Sequence, residues 1–496
     1  MIERWSRDQV LALAPDAASQ KAAAGVSSPA KWSVLGVTPE VLWGECKGSG
    51  SKPYRACVDL SEPAYRCSCP SRKFPCKHSL GLLLLWSADG VPAADEPADW
   101  AAEWMDQRRE RVGKQASRLA AAQERAAAEA AQGDTGEAGA SPTPGPRTGG
   151  TPDRRALQRE QRVTAGLSEL ERWLADQIAQ GVADARRTGP GEWDSLAKRM
   201  VDAQAPGVAG TFTRLPDVLR DDDWPGRLLG EYALVHLLAV AHRRAAGLPP
   251  ALREAVRARI GFPAAREDVL ASPAVRDRWD VIGSRDEEQD RLIARRVWLR
   301  GRETGRAALV LSFAPVGQAL DASLVSGTAV DADLAFYPGA APLRALVVRR
   351  HGSAPSGPPL GVSAAEASGL LAGVLAEDPW TESWPVVLTG VVPADGGGWL
   401  LADPAAARDG VVSAGDAAVS AQGAAAAALG AEPSGPAAGR HGGAEVSGMR
   451  LDPSAGTPWR LLAVSGGHPV TVACEWTPRG LRPLTTWDEE GQVVLL

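Results

Sequence analysis

The first ninety residues alternate short strand-like runs with one apolar run. Residues Val41–Lys47 and Pro53–Leu60 are rich in β-branched and aromatic side chains, and the Gly/Ser segment 48–51 between them is typical of a turn. Ala64–Cys67 continues the pattern as a third short strand, and residues 79–86 are apolar over a helical length. The pattern predicts a small module of strands followed by a helix.

The middle of the chain follows a helical period. Apolar residues keep helical spacing on one face at Leu167, Leu170, Trp173, Leu174 and Ile178. Two more helices are predicted at 228–246 and 249–260. Upstream, residues 97–132 mix Ala with Glu, Arg and Gln, which predicts an exposed helix, and the Gly/Pro/Ser/Thr tract 133–153 predicts a flexible linker.

Beyond residue 263 helical and strand patterns are mixed. The predicted elements are a helix at 286–296, paired strands at 297–300 and 307–313, a strand at 343–348, a helix at 363–376, a hairpin of 384–392 with 399–402, and an antiparallel sheet over 459–496. Ser363 and Glu366 predict that the helix at 363–376 begins with a capping box. The Ala/Gly-rich segment 404–448 predicts a low-complexity insertion.

The composition describes an acidic chain without membrane or export signals. Its 496 residues carry a net charge of −6. No stretch reaches about 18 apolar residues, and no secretory pattern follows the first methionine, so we expect a cytoplasmic protein. The arginine- and alanine-rich, lysine-poor usage indicates a high-GC genome, for which a bacterial, actinobacterial-like source is expected.

The clearest candidate chemistry is a cluster of three cysteines and a histidine. Cys67, Cys69, Cys76 and His78 form the pattern C-x-C-x6-C-x-H in a chain that has only six cysteines. Zn²⁺ prefers thiolate and imidazole ligands, and four protein ligands close its tetrahedron without leaving a position for a reacting water. The pattern therefore predicts one structural Zn²⁺ site. A tight turn at Pro70 would let the first two ligands converge.

Other interpretations of the cysteines remain open from the sequence. They could be small buried thiols, or a disulfide, although C-x-C bridging is strained and export signals are lacking. Cys46 and Cys57 are either spare ligands or buried thiols, and we expect buried thiols. A module of this size has little core of its own. Because zinc binding contributes on the order of 10–16 kcal/mol in small zinc-folded units, we expect the module to unfold when the metal is removed.

The segment C-S-C-P-S-R-K-F-P-C-K-H followed by an apolar helix resembles the SWIM-type zinc finger, over about residues 40–90. The resemblance implies a zinc module of two short strands and a helix, with Cys67, Cys69, Cys76 and His78 as ligands, that binds DNA or protein. Fingers of this type occur in bacterial chromatin-remodelling-type ATPases, plant transposases and some ubiquitin ligases. The helicase or transposase core that often accompanies them is not visible in this sequence.

Together these patterns predict an α+β multidomain chain. A zinc-stabilised ββα-type finger lies near the N-terminus, followed by a helical middle and a mixed α/β C-terminal region. The predicted divisions are 1–90 with the finger at about 54–89, 91–153 as exposed helix and linker, 154–262 as a helical domain, and 263–496 as an α+β domain with the insertion 404–448.

The local charge near the predicted zinc site is positive. Residues 31–86 hold eight Lys or Arg and four acids, formally +4, or about +3 once one zinc and three thiolates are counted. Four of the basic residues flank the ligands and are candidates for nucleic-acid contact: Arg66, Arg72, Lys73 and Lys77. A solvated basic face that binds no polyanion is the alternative.

Nucleotide-binding, metalloprotease and hydrolase signatures are absent from the sequence. We therefore predict a non-enzymatic zinc-binding protein whose finger binds nucleic acid, namely DNA, or a partner protein. The alternative is a protein-docking scaffold or accessory subunit of a cytoplasmic ATPase-containing assembly that binds no nucleic acid. Neither a membrane partner nor a small-molecule substrate is evident.

Overall fold

The computed structural model describes residues 4–14, 17–48, 52–61, 64–71, 73, 75–110, 152–289, 292–315, 320–404 and 448–496. Most of the predicted linker 133–153, the second part of the predicted helix 97–132 and nearly all of the predicted insertion 404–448 lie outside these residues. Within the described part, no helix is both long and apolar enough to cross a membrane.

The N-terminal unit is an antiparallel sheet between helices. Its strands are β1 (Trp32–Val37), β2 (Val41–Cys46), β3 (Tyr54–Asp59) and β4 (Ala64–Cys67), and its helices are α1 (Arg7–Ala12), α2 (Ala17–Ala24), α3 (Lys77–Ser87) and α4 (99–110). The strands follow one another in the order β1-β2-β3-β4. The three strands and the helix predicted around the cysteine cluster are confirmed.

This unit has a larger core than the sequence predicted. Helix α3 is buried on all sides from His78 to Trp86, because it packs between the sheet and α1 and α2. Ala322 and Val325, from a segment far along the chain, complete the same core. On the other face of the sheet, α4 packs Trp104 against Trp43 and its neighbours. The prediction of a module with little core was wrong, because these partners come from outside it.

Residues 152–260 form a helical bundle. Its helices are α5 (Pro152–Gln180), α6 (Ala185–Asp202), α7 (Pro206–Val218), α8 (Trp224–Arg243) and α9 (Pro250–Ile260), followed by the short α10 (Arg266–Ala271). Leu167, Leu170 and Leu174 lie in the core as their spacing predicts. Ile178, near the end of α5, is 51% exposed and does not belong to that core.

The next unit is a closed five-stranded barrel. Its strands are β5 (Val275–Gln289), β6 (Leu292–Gly301), β7 (Ala307–Pro315), β8 (Thr328–Phe336) and β9 (Arg344–Pro355). Around the barrel the order is β5-β6-β7-β9-β8, and β7 pairs with β9 in parallel whereas every other pairing is antiparallel. Trp279, Val297 and Leu299 fill its interior.

The predicted helix at 286–296 was wrong. Its described residues, 286–289 and 292–296, lie in β5 and β6, where Asp286 pairs opposite Arg295. The many charged residues resemble an exposed helix in sequence, but here they find partners across strands. Arg295 donates to Asp286 at 2.7 Å, and Arg285 lies 2.9 Å from Glu475, a residue far along the chain.

The C-terminal unit packs helices against a six-stranded sheet of order β12-β11-β10-β13-β14-β15. Its elements are α11 (Ala364–Glu377), β10 (Trp384–Asp395), β11 (Trp399–Ala402), β12 (Gly448–Arg450), α12 (Trp459–Ser465), β13 (Val470–Thr477), β14 (Gly480–Trp487) and β15 (Val493–Leu495). The capping box of Ser363 and Glu366 and the hairpin are confirmed. The start of the predicted sheet 459–496 is instead α12, which begins after Pro458 and ends at Gly466 with a φ of 52°.

Buried charges join this sheet to the bundle. Asp452 is fully buried and accepts hydrogen bonds from Arg482 at 2.7 Å and Arg479 at 3.3 Å. Arg479 also lies 3.2 Å from Asp221, which precedes α8. The bundle and the C-terminal sheet therefore share a buried ion-pair network.

Candidate metal centre

The end of β4 and the start of α3 bring the four predicted ligands together. Cys67 is the last residue of β4 and lies opposite Ala56 in β3. The backbone N–H of Ser68 donates to the carbonyl of Arg55 at 3.0 Å, which extends the pairing of β4 with β3 by one residue. Cys69 lies in the turn that follows. Cys76 is the N-cap of α3, and His78 lies in its first turn.

The ligand atoms are spaced as a tetrahedral cation site requires. His78 Nδ1 lies 3.8 Å from Cys67 Sγ and 4.0 Å from Cys76 Sγ. All four ligand atoms lie within 4.8 Å of one another. Bonds of about 2.0–2.3 Å to zinc place tetrahedral ligands roughly 3.4–3.8 Å apart, so a small contraction closes the site. Three sulfurs and one imidazole nitrogen form a donor set that fits Zn²⁺.

The thiols of the cluster lie close enough to share protons, and a bound cation would take the place of those protons. A hydrogen bond with Cys67 lowers the pKa of Cys76, and the same bond raises the pKa of Cys67. Burial raises the pKa of Cys69. Because zinc binds thiolates, binding at this site releases protons and is favoured as the pH rises.

Tyr54 supports the histidine from the neighbouring strand. The two rings lie 4.8 Å apart between centroids with planes inclined by 34°. Gly48 makes room for the phenol, because a Cβ at that position would lie 2.6 Å from the Tyr54 ring. No sequence motif marks Tyr54, because its position beside the site follows from the strand register that places it opposite Cys46.

Cys46 and Cys57 are buried thiols outside the ligand cluster, as the sequence predicts. Burial raises the pKa of Cys57 to about 12. Burial also raises the pKa of Cys46, and the positive charges of Lys77 and Lys31 partly offset this rise. Two ammonium groups therefore lie near the edge of the metal centre.

The predicted contact residues lie around the ligands. Arg66 on β4, Lys73 in the loop between the ligand pairs and Lys77 at the first position of α3 are all exposed. Arg72 lies outside the described residues. The structure thus places three of the four predicted cations on the surface beside the centre.

The described acids of this segment are paired. Three ion pairs neutralise them: Glu45–Arg55 at 3.0 Å, Asp59–Arg108 at 2.8 Å and Glu40–Arg109 at 2.6 Å. Five basic residues have no ion-pair partner among the described residues: Lys31, Lys47, Lys52, Arg66 and Lys77. The described surface around the metal centre therefore carries an excess of unpaired positive charge.

The outer face of β6 and β7 is covered by the C-terminal sheet. Small five-stranded Greek-key barrels of the OB type bind oligonucleotides on their second and third strands. Here Trp298 on β6 and Leu309 on β7 pack against Val387, Leu484 and Trp487 of the C-terminal sheet. That face is covered by the chain itself.

Comparison with known proteins agrees with the geometry. The SWIM zinc finger family model matches residues 57–86, which include all four ligands, and the model of the SWIM-associated four-helix bundle domain matches residues 158–260. Neither a curated protein nor a solved structure matches the chain. The four ligands are positioned to bind a metal ion, consistent with Zn²⁺. The chain thus contains a SWIM-type zinc finger and a region that matches the SWIM-associated bundle domain.

Proposed function

We propose that this chain is a non-enzymatic, cytoplasmic zinc-finger protein that binds DNA through the basic surface around its metal centre. The observation that carries the proposal is the charge balance of that surface: each described acid of the finger segment has an arginine partner, whereas five basic residues have none. Such unpaired cations attract phosphates and release condensed counterions when they bind.

The basic residues surround the metal centre from several elements. Lys77 is the first residue of α3, and Arg66 lies on β4. The backbone N–H of Lys47 donates to the carbonyl of Lys31 at 2.9 Å, which holds the end of β2 beside the start of β1. In this arrangement zinc has a structural role, because it fixes the loop between β4 and α3 on which two of the predicted contact residues lie.

The character of the surface favours a polyanion over a docked protein. The apolar side chains of α3 are buried, and the described exposed residues near the ligands are Arg66, Ser68, Pro70, Ser71, Lys73 and Lys77. Protein-docking surfaces have an apolar centre, whereas DNA interfaces are polar and strongly positive. The accessory-subunit alternative therefore becomes an outcome of the test.

The proposal predicts salt-dependent binding that depends on Lys47 and Lys77, which we call the rim lysines. The full chain should bind a duplex of about 20 base pairs with a log–log salt slope that falls by about 1 for each phosphate contact removed. The variant Lys47→Gln/Lys77→Gln should therefore lower the slope by about 2 and weaken binding at low salt, as measured by fluorescence anisotropy between about 50 and 200 mM salt.

The matched control is Lys21→Gln/Lys198→Gln, which removes two exposed lysines from other parts of the chain. It should leave the slope unchanged. Equal losses in both variants would mean that net charge, not this surface, drives binding. A wild-type chain that binds no duplex at about 50 mM salt, where phosphate contacts are least screened, would favour the accessory-subunit alternative.

A further inference from the structure

One end of the helical bundle carries a second concentration of positive charge. Residues 152–162 of α5 hold four arginines and two acids, and residues 243–257 hold four arginines and one acid, which gives a formal charge of +5. The finger segment carries +4, and the whole chain carries −6. The strongest local excess of arginine therefore lies outside the finger.

Contacts between helices bring these two segments to one place. Arg257 on α9 lies 3.3 Å from Glu160 on α5, and Arg159 donates to the carbonyl of Gly261 at 2.9 Å. The His242 ring at the end of α8 lies 3.0 Å from Thr164. The first half of α5, the end of α8 and the end of α9 thus form one continuous surface, which we call the arginine end.

Some of these arginines have structural roles that account for them. Arg159 and Arg257 hold their guanidinium groups 4.4 and 4.2 Å from the Phe262 ring centroid. Arg253 donates to the carbonyls of Ala245 and Leu248 beyond the end of α8, where helix dipoles favour cations. Burial lowers the pKa of His242, so this ring adds no charge at neutral pH.

Four arginines at the same end have no such role. Arg154, Arg155, Arg162 and Arg244 are exposed, and in the described part of the chain their side chains have neither a hydrogen-bond nor an ion-pair partner. Guanidinium groups bind phosphate in bidentate geometry and lose less freedom for each hydrogen bond than lysines do. The surface is poor in apolar groups, with Leu157 as its exposed large side chain, so it lacks the apolar centre of a protein interface.

We propose that the arginine end is a second phosphate-binding surface, which contacts the backbone of a nucleic acid through Arg154, Arg155, Arg162 and Arg244. Contacts of this kind position a nucleic acid without reading its sequence. The site goes beyond the finger surface proposed above and stands on a separate set of residues.

The test is the salt slope of the full chain with Arg154, Arg155, Arg162 and Arg244 all changed to Gln. Because these side chains are exposed and unpaired, the variant should keep its fold. The slope for a duplex of about 30 base pairs should fall by about 3 to 4, and binding at about 100 mM salt should weaken at least tenfold. The control Arg187→Gln/Arg220→Gln removes exposed bundle arginines that already pair with Asp184 and Asp217, and should change little.

The outcomes separate this inference from the finger proposal. If the rim variant lowers the slope and the four-arginine variant does not, the arginine end is not a phosphate site and the finger proposal stands. If only the four-arginine variant lowers it, the finger proposal fails and this one holds. If the variant loses binding to immobilised polyglutamate but keeps full affinity for the duplex, the surface docks an acidic protein and the inference is wrong.

Discussion

Removing zinc with a chelator is expected to release the loop between β4 and α3 while α3 stays folded. Amide hydrogen exchange across the loop between β4 and α3 should accelerate by about 100-fold, equivalent to about 3 kcal/mol of local stability, while exchange in Leu80–Trp86 changes by much less. The measurement is hydrogen exchange with mass spectrometry on the full chain, with and without chelator, at pH 7.

The limited extent of this effect follows from how the finger is anchored. Helix α3 shares its core with α1, α2, the sheet and Val325, and among these partners β4 alone carries a ligand of the described cluster. By contrast, the loop that follows β4 joins the sheet through two hydrogen bonds between Ser68 and Arg55, and Ser71 and Lys73 form a local turn within it. Zinc therefore stabilises the loop more than the domain.

The contacts of β4 limit how far the increase in hydrogen exchange should spread from the loop. Tyr65 on β4 is buried, and its hydroxyl lies 3.5 Å from the carbonyl of Ala322. The part of β4 around Tyr65 should therefore stay protected. Complete unfolding of the N-terminal unit on chelation, as its sequence alone predicts, would contradict this account, and so would an unchanged exchange pattern.

Asp452→Asn is expected to destabilise the C-terminal unit by about 3–5 kcal/mol, the usual effect of breaking a buried ion pair by removing one partner. Asp452 is fully buried between Arg479 and Arg482 and also accepts hydrogen bonds from the Ser454 N–H and hydroxyl. The substitution removes the carboxylate that the two guanidinium groups share, so that Arg479 keeps its pairing with Asp221 alone. Hydrogen exchange of β13 and β14 in increasing guanidinium chloride measures the loss, since a chain of several units need not unfold in one step.

The pH dependence of this stabilisation has a definite sign. Burial raises the pKa of Asp452, but the Ser454 hydrogen bonds and the two arginines outweigh it and hold the pKa below its ordinary value. The stabilisation is therefore complete above the unfolded pKa of about 3.9 and is lost as the pH falls through the lower folded pKa. The difference in unfolding free energy between the wild type and Asp452→Asn should therefore decrease below about pH 4.

The control for Asp452 is Asp217→Asn. Asp217 pairs with Arg220 on the surface, and its side chain is 66% exposed. Exposed pairs of this kind contribute about 0–1 kcal/mol, so the control should leave stability nearly unchanged. A loss of less than about 1 kcal/mol in Asp452→Asn would mean that the buried network does not stabilise the junction.

Local patterns predict the elements whose signals are local. The Ser363 capping box, strand β4 and helix α3 follow the sequence because turn residues, caps and apolar runs lie next to one another. The helix predicted at 286–296 was wrong for the opposite reason. Charges of this segment are paired across strands, and Arg296 lies 3.6 Å from Glu475, which only the tertiary structure brings close. Closure of the barrel by parallel pairing of β7 with β9 is likewise not encoded in neighbouring residues.

At the candidate metal site, too, the sequence predicts what depends on local spacing and misses what depends on tertiary packing. All four zinc ligands could be identified from their spacing, because a tetrahedral site built from two short pairs leaves a compact signature. The supporting Tyr54 could not, and neither could the neutralisation of Asp59 and Glu40 by two arginines of α4. Those pairings determine the charge of the surface, and they depend on how α4 packs on the sheet.

The most direct test of the account is the metal content of the purified full chain, measured by inductively coupled plasma mass spectrometry. We predict about one zinc per chain, as a closed site of four protein ligands requires. Cys69→Ser should hold much less, whereas Cys46→Ala, which alters a buried cysteine outside the cluster, should retain it. A wild-type chain without zinc, or equal zinc in wild type and Cys69→Ser, would contradict the account.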